Sequence, residues 1–285
     1  VSEAVPSWFV DATSTPADER DLLVDGCSIR VRSWGDPARP GIVLVHGGAA
    51  NSRWWDHIAP VLARAYRVVA FDLSGHGDSG HREMYDLRDW ARETLAVTAT
   101  ANFPAPPTVI GHSMGGWVSL VAGRLDDAFS GIAVIDTPLT ERTPEQRAAA
   151  DKRAFGPVRT YPTRTELVSR FRPVPDQPNS LPFITEYVAE RSVVETPDGW
   201  RWKFDPRVFV GARPDVAAIG ELSCRTMMFG AENGLVGPNA DRQMYHLLGK
   251  NASVVVIPRA GHHIMLDEPL ALTASLLTLL ALWGV

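Results

Sequence analysis

The chain has 285 residues, 45% hydrophobic and 21% charged, enough for one sizeable α/β domain or one domain with an insertion. A net charge of -5 gives no reason to expect nucleic acid as a partner, since phosphate binding needs a basic face. Cys27 and Cys224 match no metal spacing, and residues 1–20 lack the basic start and apolar run of a signal peptide, so reduced thiols and a cytoplasmic setting are expected.

In chain order, DLLVDGCSIRVRSWG (21–35) alternates around Gly26 and reads as an antiparallel edge hairpin. GIVLVHGG (41–48) is a continuous apolar strand stopping at a glycine pair, and Trp54–Arg64 fits a helix after it. YRVVAFDLSGHGDSG (66–80) is a strand running into a glycine-rich loop, followed by a helical stretch, Leu87–Ala101. PTVIGHSMGG, GIAVIDTP (131–138), RTMMFGAENG (225–234) and ASVVVIPRAGHH (252–263) supply four more strands. Unalternated apolar strands separated by helices predict an α/β fold with a mostly parallel central sheet, flanked by helices on both faces.

From Pro138 to about Ile219 the pattern breaks. This stretch is rich in Arg and Pro, with helical pieces at Thr165–Arg172 and Pro182–Ser192 but no buried strand. Its Trp and Phe content is too high for a linker, so residues 138–219 are expected to form an inserted cap on a core of 1–137 and 220–285. The closing LALTASLLTLLALWGV is short of the roughly 20 apolar residues a membrane span needs, and Thr273, Ser275 and Thr278 interrupt it. It is predicted to be a last helix lying on the sheet, with no membrane partner.

Open parallel sheets bind ligands at the carboxyl ends of their strands. Here those ends carry His46, Asp72, Ser113, Asp136, Glu232 and His262. The sharpest signal is TVIGHSMGGWVSL, Thr108 to Leu120, where a β-branched strand end meets a helix across Gly111, Ser113 and Gly115. Small residues in this G-x-S-x-G pattern let strand and helix approach while the serine takes a strained turn. The hydroxyl is thereby lifted clear of the sheet, beside the next residue's N–H. Ser113 is the candidate nucleophile; the bland alternative is a helix N-cap serine.

VLVHGG, FDLSGHGDSG, GHSMGG and AGHH, in that order across nearly the whole chain, resemble the α/β-hydrolase-fold serine hydrolases. The resemblance implies acyl transfer from an acyl-enzyme on Ser113, with no metal and no cofactor. It makes His262, the histidine directly after the glycine, the base, with its neighbour His263 as the competing choice. In the acid the chain departs from the commonest pattern. Family members usually place an Asp after the strand that is TMMFG here, but GAENGLVG offers only Glu232. Others take it from the preceding strand, where this chain has Asp136. Asp136 is preferred because it sits directly at a strand end, whereas Glu232 precedes the flexible pair Asn233-Gly234.

The oxyanion hole is expected from the backbone N–H of Met114, after the nucleophile, and of Gly48, on the loop after VLVHGG. Trp54 and Trp202 are candidate substrate contacts, although Trp54 is equally suited to a helix core; Trp202 and Phe183 are expected to set substrate choice. GHGDSG lacks the lysine and spacing of a P-loop and is read as structural. The expected activity is cofactor-independent hydrolysis of a carboxylic ester, lactone or thioester with an apolar moiety. A C–C bond hydrolase on the same triad, or a slow-turnover small-molecule receptor, stands as the alternative.

Overall fold

In the computed structural model the parallel strands form where the sequence is apolar without alternation, because both faces of the sheet are covered except at the edge strand Ala252–Gly261, where Val255 and Val256 are exposed. Residues 4–285 are described, apart from 140–142, 146, 147, 150, 151, 153–157, 179, 212–218, 221, 238 and 249–251. The strands are β1 (Asp18–Val24), β2 (Cys27–Trp34), β3 (Gly41–Val45), β4 (Arg67–Phe71), β5 (Thr108–His112), β6 (Gly131–Ile135), β7 (Val193–Thr196), β8 (Gly199–Trp202), β9 (Arg225–Asn233) and β10 (Ala252–Gly261). Eight of them form one sheet in the order β1-β2-β4-β3-β5-β6-β9-β10, while β7 and β8 pair separately. The β1–β2 and β2–β4 pairs are antiparallel and the remaining pairs of the large sheet are parallel.

The helices are α1 (Ser7–Thr13), α2 (Ala59–Leu62), α3 (Leu87–Thr100), α4 (Met114–Leu125), α5 (Arg164–Ser169), α6 (Pro182–Arg191), α7 (Val208–Gly211), α8 (Ala240–Leu248), α9 (Ile264–Asp267) and α10 (Pro269–Trp283). Every residue of β3 is buried. Val43 and Val45 join one core with Trp90 of α3 and Leu120 of α4. Ile42 and Leu44 join the other with Leu62 of α2 and Leu272 and Leu276 of α10. Full burial of such a side chain is worth about 1.5–3 kcal/mol, which holds the strand ends rigidly in place. Strand order reverses around β3, so a crevice opens where β3 and β5 end.

The 15 residues of α10 span about 22 Å at 1.5 Å per residue. Among the described residues no helix is long and apolar enough to cross a membrane. The expected helix Trp54–Arg64 is instead a 3₁₀ turn, Ser52–Trp55, followed by the short α2. The Asn51 side chain caps the first by accepting from Arg53 N at 3.0 Å. Pro60 restarts the second, since it supplies no N–H and is tolerated only in a helix's first turn. The helix expected over Thr165–Arg172 stops at Ser169, ahead of Pro173, which disfavours helical backbone just before it.

The segment between β6 and β9 contains α5, α6, the β7–β8 hairpin and α7, with parts of 138–219 outside the described residues. It meets the loops at the carboxyl ends of the strands. Gly77 N donates to Lys203 O and Asp205 N to Gly75 O, both at 2.8 Å, and Leu181 N donates to Leu266 O at 2.9 Å.

Candidate active site

Between β5 and α4 the backbone of Ser113 has φ 52° and ψ -115°. Positive φ at a residue with a Cβ costs on the order of 1–3 kcal/mol and persists only where its surroundings enforce it. Here Ser113 N donates to Ile135 O at 2.9 Å, and Ser113 O accepts from Gly116 N at 3.0 Å. A Cβ at Gly115 would lie 2.4 Å from His46 O and 2.5 Å from Val45 O, so only glycine lets α4 start this close to β3.

The loop after β10 brings His262 to the serine. Ser113 Oγ lies 2.9 Å from His262 Nε2, and His262 Nδ1 lies 2.7 Å from Asp136 Oδ2. His262 is 3% exposed and Asp136 fully buried, so water does not compete for the carboxylate–imidazole contact. Asp136 is oriented by two backbone donors, Ala231 N to Oδ1 at 3.1 Å and Leu235 N to Oδ2 at 2.8 Å. With Nδ1–H donating to the carboxylate, Nε2 is left to accept from the serine hydroxyl.

Glu232, the competing acid, is exposed and accepts from Arg259 N at 2.6 Å. Its neighbour explains the choice. A Cβ at Gly234 would sit 2.3 Å from Asp136 Oδ1, so a side chain there and the Asp136 carboxylate claim the same space. His263 turns away from the serine. Its backbone N donates to Gln177 Oε1 at 2.6 Å and its Nε2 to Val174 O at 3.2 Å, and burial followed by the nearby His262 lowers its pKa to about 3.

Two other histidines brace the loops. His46 Nδ1 donates to Gly47 O at 2.7 Å while Nε2 accepts from Leu73 N at 3.0 Å, and burial lowers its pKa. His112 Nε2 donates to His262 O at 3.0 Å, with its pKa pushed well down by burial. Asp72 accepts from Ser52 N at 2.6 Å and Asp78 N at 2.8 Å, tying the GHGDSG loop to the loop after β3.

The fold also gathers what spacing did not foresee: one ring nitrogen each of His112, His262 and His263 lie within 4.8 Å of one another. The sequence separation of 150 between His112 and His262 hides this cluster. A metal here would have to displace hydrogen bonds, because both nitrogens of His262 and Nε2 of His112 are engaged.

The serine and histidine open on a cavity of about 560 Å³, also lined by Gly48, Met114, Trp54 and Trp202. Among the described residues neither the Gly48 nor the Met114 amide donates a hydrogen bond, and Met114 begins α4, where the first N–H groups have no partner within the helix. Trp54 is both core and wall. It is 6% exposed, its Nε1 donates to Ser192 Oγ at 3.4 Å, and its ring meets Phe171 at 6.1 Å. Trp202 meets the same Phe171 at 5.7 Å. Phe183 does not line the cavity. It packs on Phe9 at 4.9 Å and Trp8 at 6.3 Å, because α6 turns it towards α1. Phe171, Val174, Phe204 and Leu235 are walls that sequence reasoning missed, and the first three lie in the irregular insertion, where no periodicity marks a cavity face.

A model of the alpha/beta hydrolase family matches residues 42–276, and the chain belongs to that family. An esterase of Mycobacterium tuberculosis is 25% identical, over 87% of this chain and 85% of its own. The dihydrolipoyllysine-residue acetyltransferase component of an acetoin-cleaving system from Pseudomonas putida is 26% identical, over 93% of this chain and 70% of its own. Among solved structures, the thioesterase domain from the curacin biosynthetic pathway aligns with a TM-score of 0.77 at 23% identity, covering 92% of this chain and 100% of that one.

Proposed function

We propose that this α/β hydrolase is a cofactor-independent serine hydrolase cleaving a carboxylic ester, lactone or thioester through an acyl-enzyme. The observation carrying the proposal is the continuous hydrogen-bond chain from Ser113 Oγ to His262 Nε2 and from His262 Nδ1 to Asp136, at 2.9 and 2.7 Å, opening on an aromatic-walled cavity. The esterase among its relatives supports the choice of an ester bond.

In this reading Ser113 Oγ attacks the acyl carbon as its proton passes to His262 Nε2. Asp136 holds the imidazole tautomer and stabilises the imidazolium without taking the proton. The N–H groups of Gly48 and Met114 receive the charge that develops on the carbonyl oxygen. His262 returns the proton to the leaving oxygen or sulfur, and water then releases the acyl group by the same steps. Residues 138–219 act as the cap, and the walls they share with the core favour a substrate with an apolar moiety.

A fluorophosphonate should label Ser113 covalently, and Ser113→Ala should abolish labelling and lower turnover of a 4-nitrophenyl ester by about 10⁴-fold or more. Labelling that survives in the alanine variant overturns the assignment.

A further inference from the structure

His262 is held from both sides by a single buried network. Gly261 N donates to Asp267 Oδ2 at 2.7 Å, and His263 N donates to Gln177 Oε1 at 2.6 Å. Gln177 Nε2 donates to the same Asp267 Oδ2 at 2.7 Å, closing a ring around the histidine's two neighbours. Ser180 Oγ donates to Asp267 Oδ1 at 2.8 Å. Gln177 and Asp267 are 8% and 6% exposed, and Gly261 leaves room for them: a Cβ there would lie 2.9 Å from Gln177 Cδ. The histidine's own carbonyl is taken by His112 Nε2. Gln177 follows the run Phe171–Val174, which walls the cavity. One short stretch of the insertion therefore shapes the cavity and grips the loop that carries His262.

We propose that Gln177 is a positioning residue that docks the insertion against this loop and keeps His262 Nε2 within reach of Ser113 Oγ. The proposal rests on the serine-hydrolase reading above. The physical reason is the steepness of hydrogen-bond geometry. At 2.9 Å the Ser113–His262 contact transfers a proton, and a shift of about 1 Å takes it out of range. A glutamine suits the place because it must accept from His263 N and donate to Asp267 at once, which neither a carboxylate nor an apolar side chain can do.

Two single variants test this: Gln177→Leu and Gln177→Glu. In Gln177→Glu two carboxylates face each other. The readouts are the rate of labelling by a small fluorophosphonate, and kcat and KM on 4-nitrophenyl butyrate. All rates are normalised to the fraction of chains finally labelled, so that unfolded protein drops out. Both single variants should lose about 10- to 100-fold in labelling rate and kcat with KM nearly unchanged. Unchanged rates in the single variants, with only the melting temperature lowered, overturn the proposal. Failure of the wild type to label at all defeats the serine-hydrolase reading, and the positioning role with it.

Discussion

Asp136 and Glu232 stand at the ends of adjacent strands, β6 and β9, yet only Asp136 reaches His262. The difference is burial and space. Asp136 is fully buried and bonded by two backbone N–H groups in the room left by Gly234, whereas Glu232 lies in solvent. Asp136→Asn should leave the fold intact and lower kcat/KM near neutral pH by about 10⁴-fold, because an amide favours the wrong imidazole tautomer. Glu232→Gln should cost little, as an exposed carboxylate interacts weakly through water. Measuring kcat/KM of both variants decides between them; a crippled Glu232→Gln with a nearly normal Asp136→Asn would move the acid to β9.

At the scale of elements, the insertion supplies cavity walls that the core lacks. Trp202 on β8 and Phe171 after α5 pack edge to face across the cavity, while Phe183 on α6 faces α1. Trp202→Ala should therefore change the ratio of kcat/KM between 4-nitrophenyl octanoate and butyrate by the equivalent of about 1–3 kcal/mol. Its labelling rate with a small fluorophosphonate should stay close to wild type. Phe183→Ala should leave selectivity unchanged and lower stability. Equal selectivity in Trp202→Ala and wild type would leave the hairpin a structural role only.

For the whole molecule, the buried histidines govern how stability responds to acid. Burial lowers the pKa of His57 to about 4 and that of His263 to about 3, and it also depresses His46, His76 and His112. His57 Nε2 donates to Met265 O at 2.8 Å, and its Nδ1 has no partner among the described residues, so an added proton would be buried and unpaired. In the unfolded chain these groups titrate at about 6.5. As pH falls below that value the unfolded state takes up protons that the folded state refuses, so unfolding becomes progressively more favourable. The melting temperature should fall steadily from pH 6.5 towards pH 4, the range in which His57 and His263 remain neutral in the fold. A flat melting temperature across that range would mean that the protonated rings are accommodated.

The sequence by itself determined the fold class, because burying a strand on both faces requires a continuous apolar run and such runs are written in adjacent residues. It also determined where the chain bends most sharply, since Gly111, Ser113 and Gly115 lie within five positions and a Cβ at Gly111 would strike Gly115 O within the same turn. The break in the helix after β3 was not legible: Trp54–Arg64 reads as one helix, whereas Pro60 opens a short second helix after a 3₁₀ turn. The resemblance named Asp136 and His262, but tertiary structure decided how the carboxylate meets the histidine and the histidine the serine. Asp136 and His262 are 126 residues apart, and their contact depends on the space left at Gly234 and on a loop held by Gln177 and Asp267. It alone also sorted the aromatic residues of the insertion into cavity wall and outer packing. Hydrogen bonds of 2.6–2.9 Å across such separations are set by how the strands and loops come together, and no local pattern of residues encodes that distance.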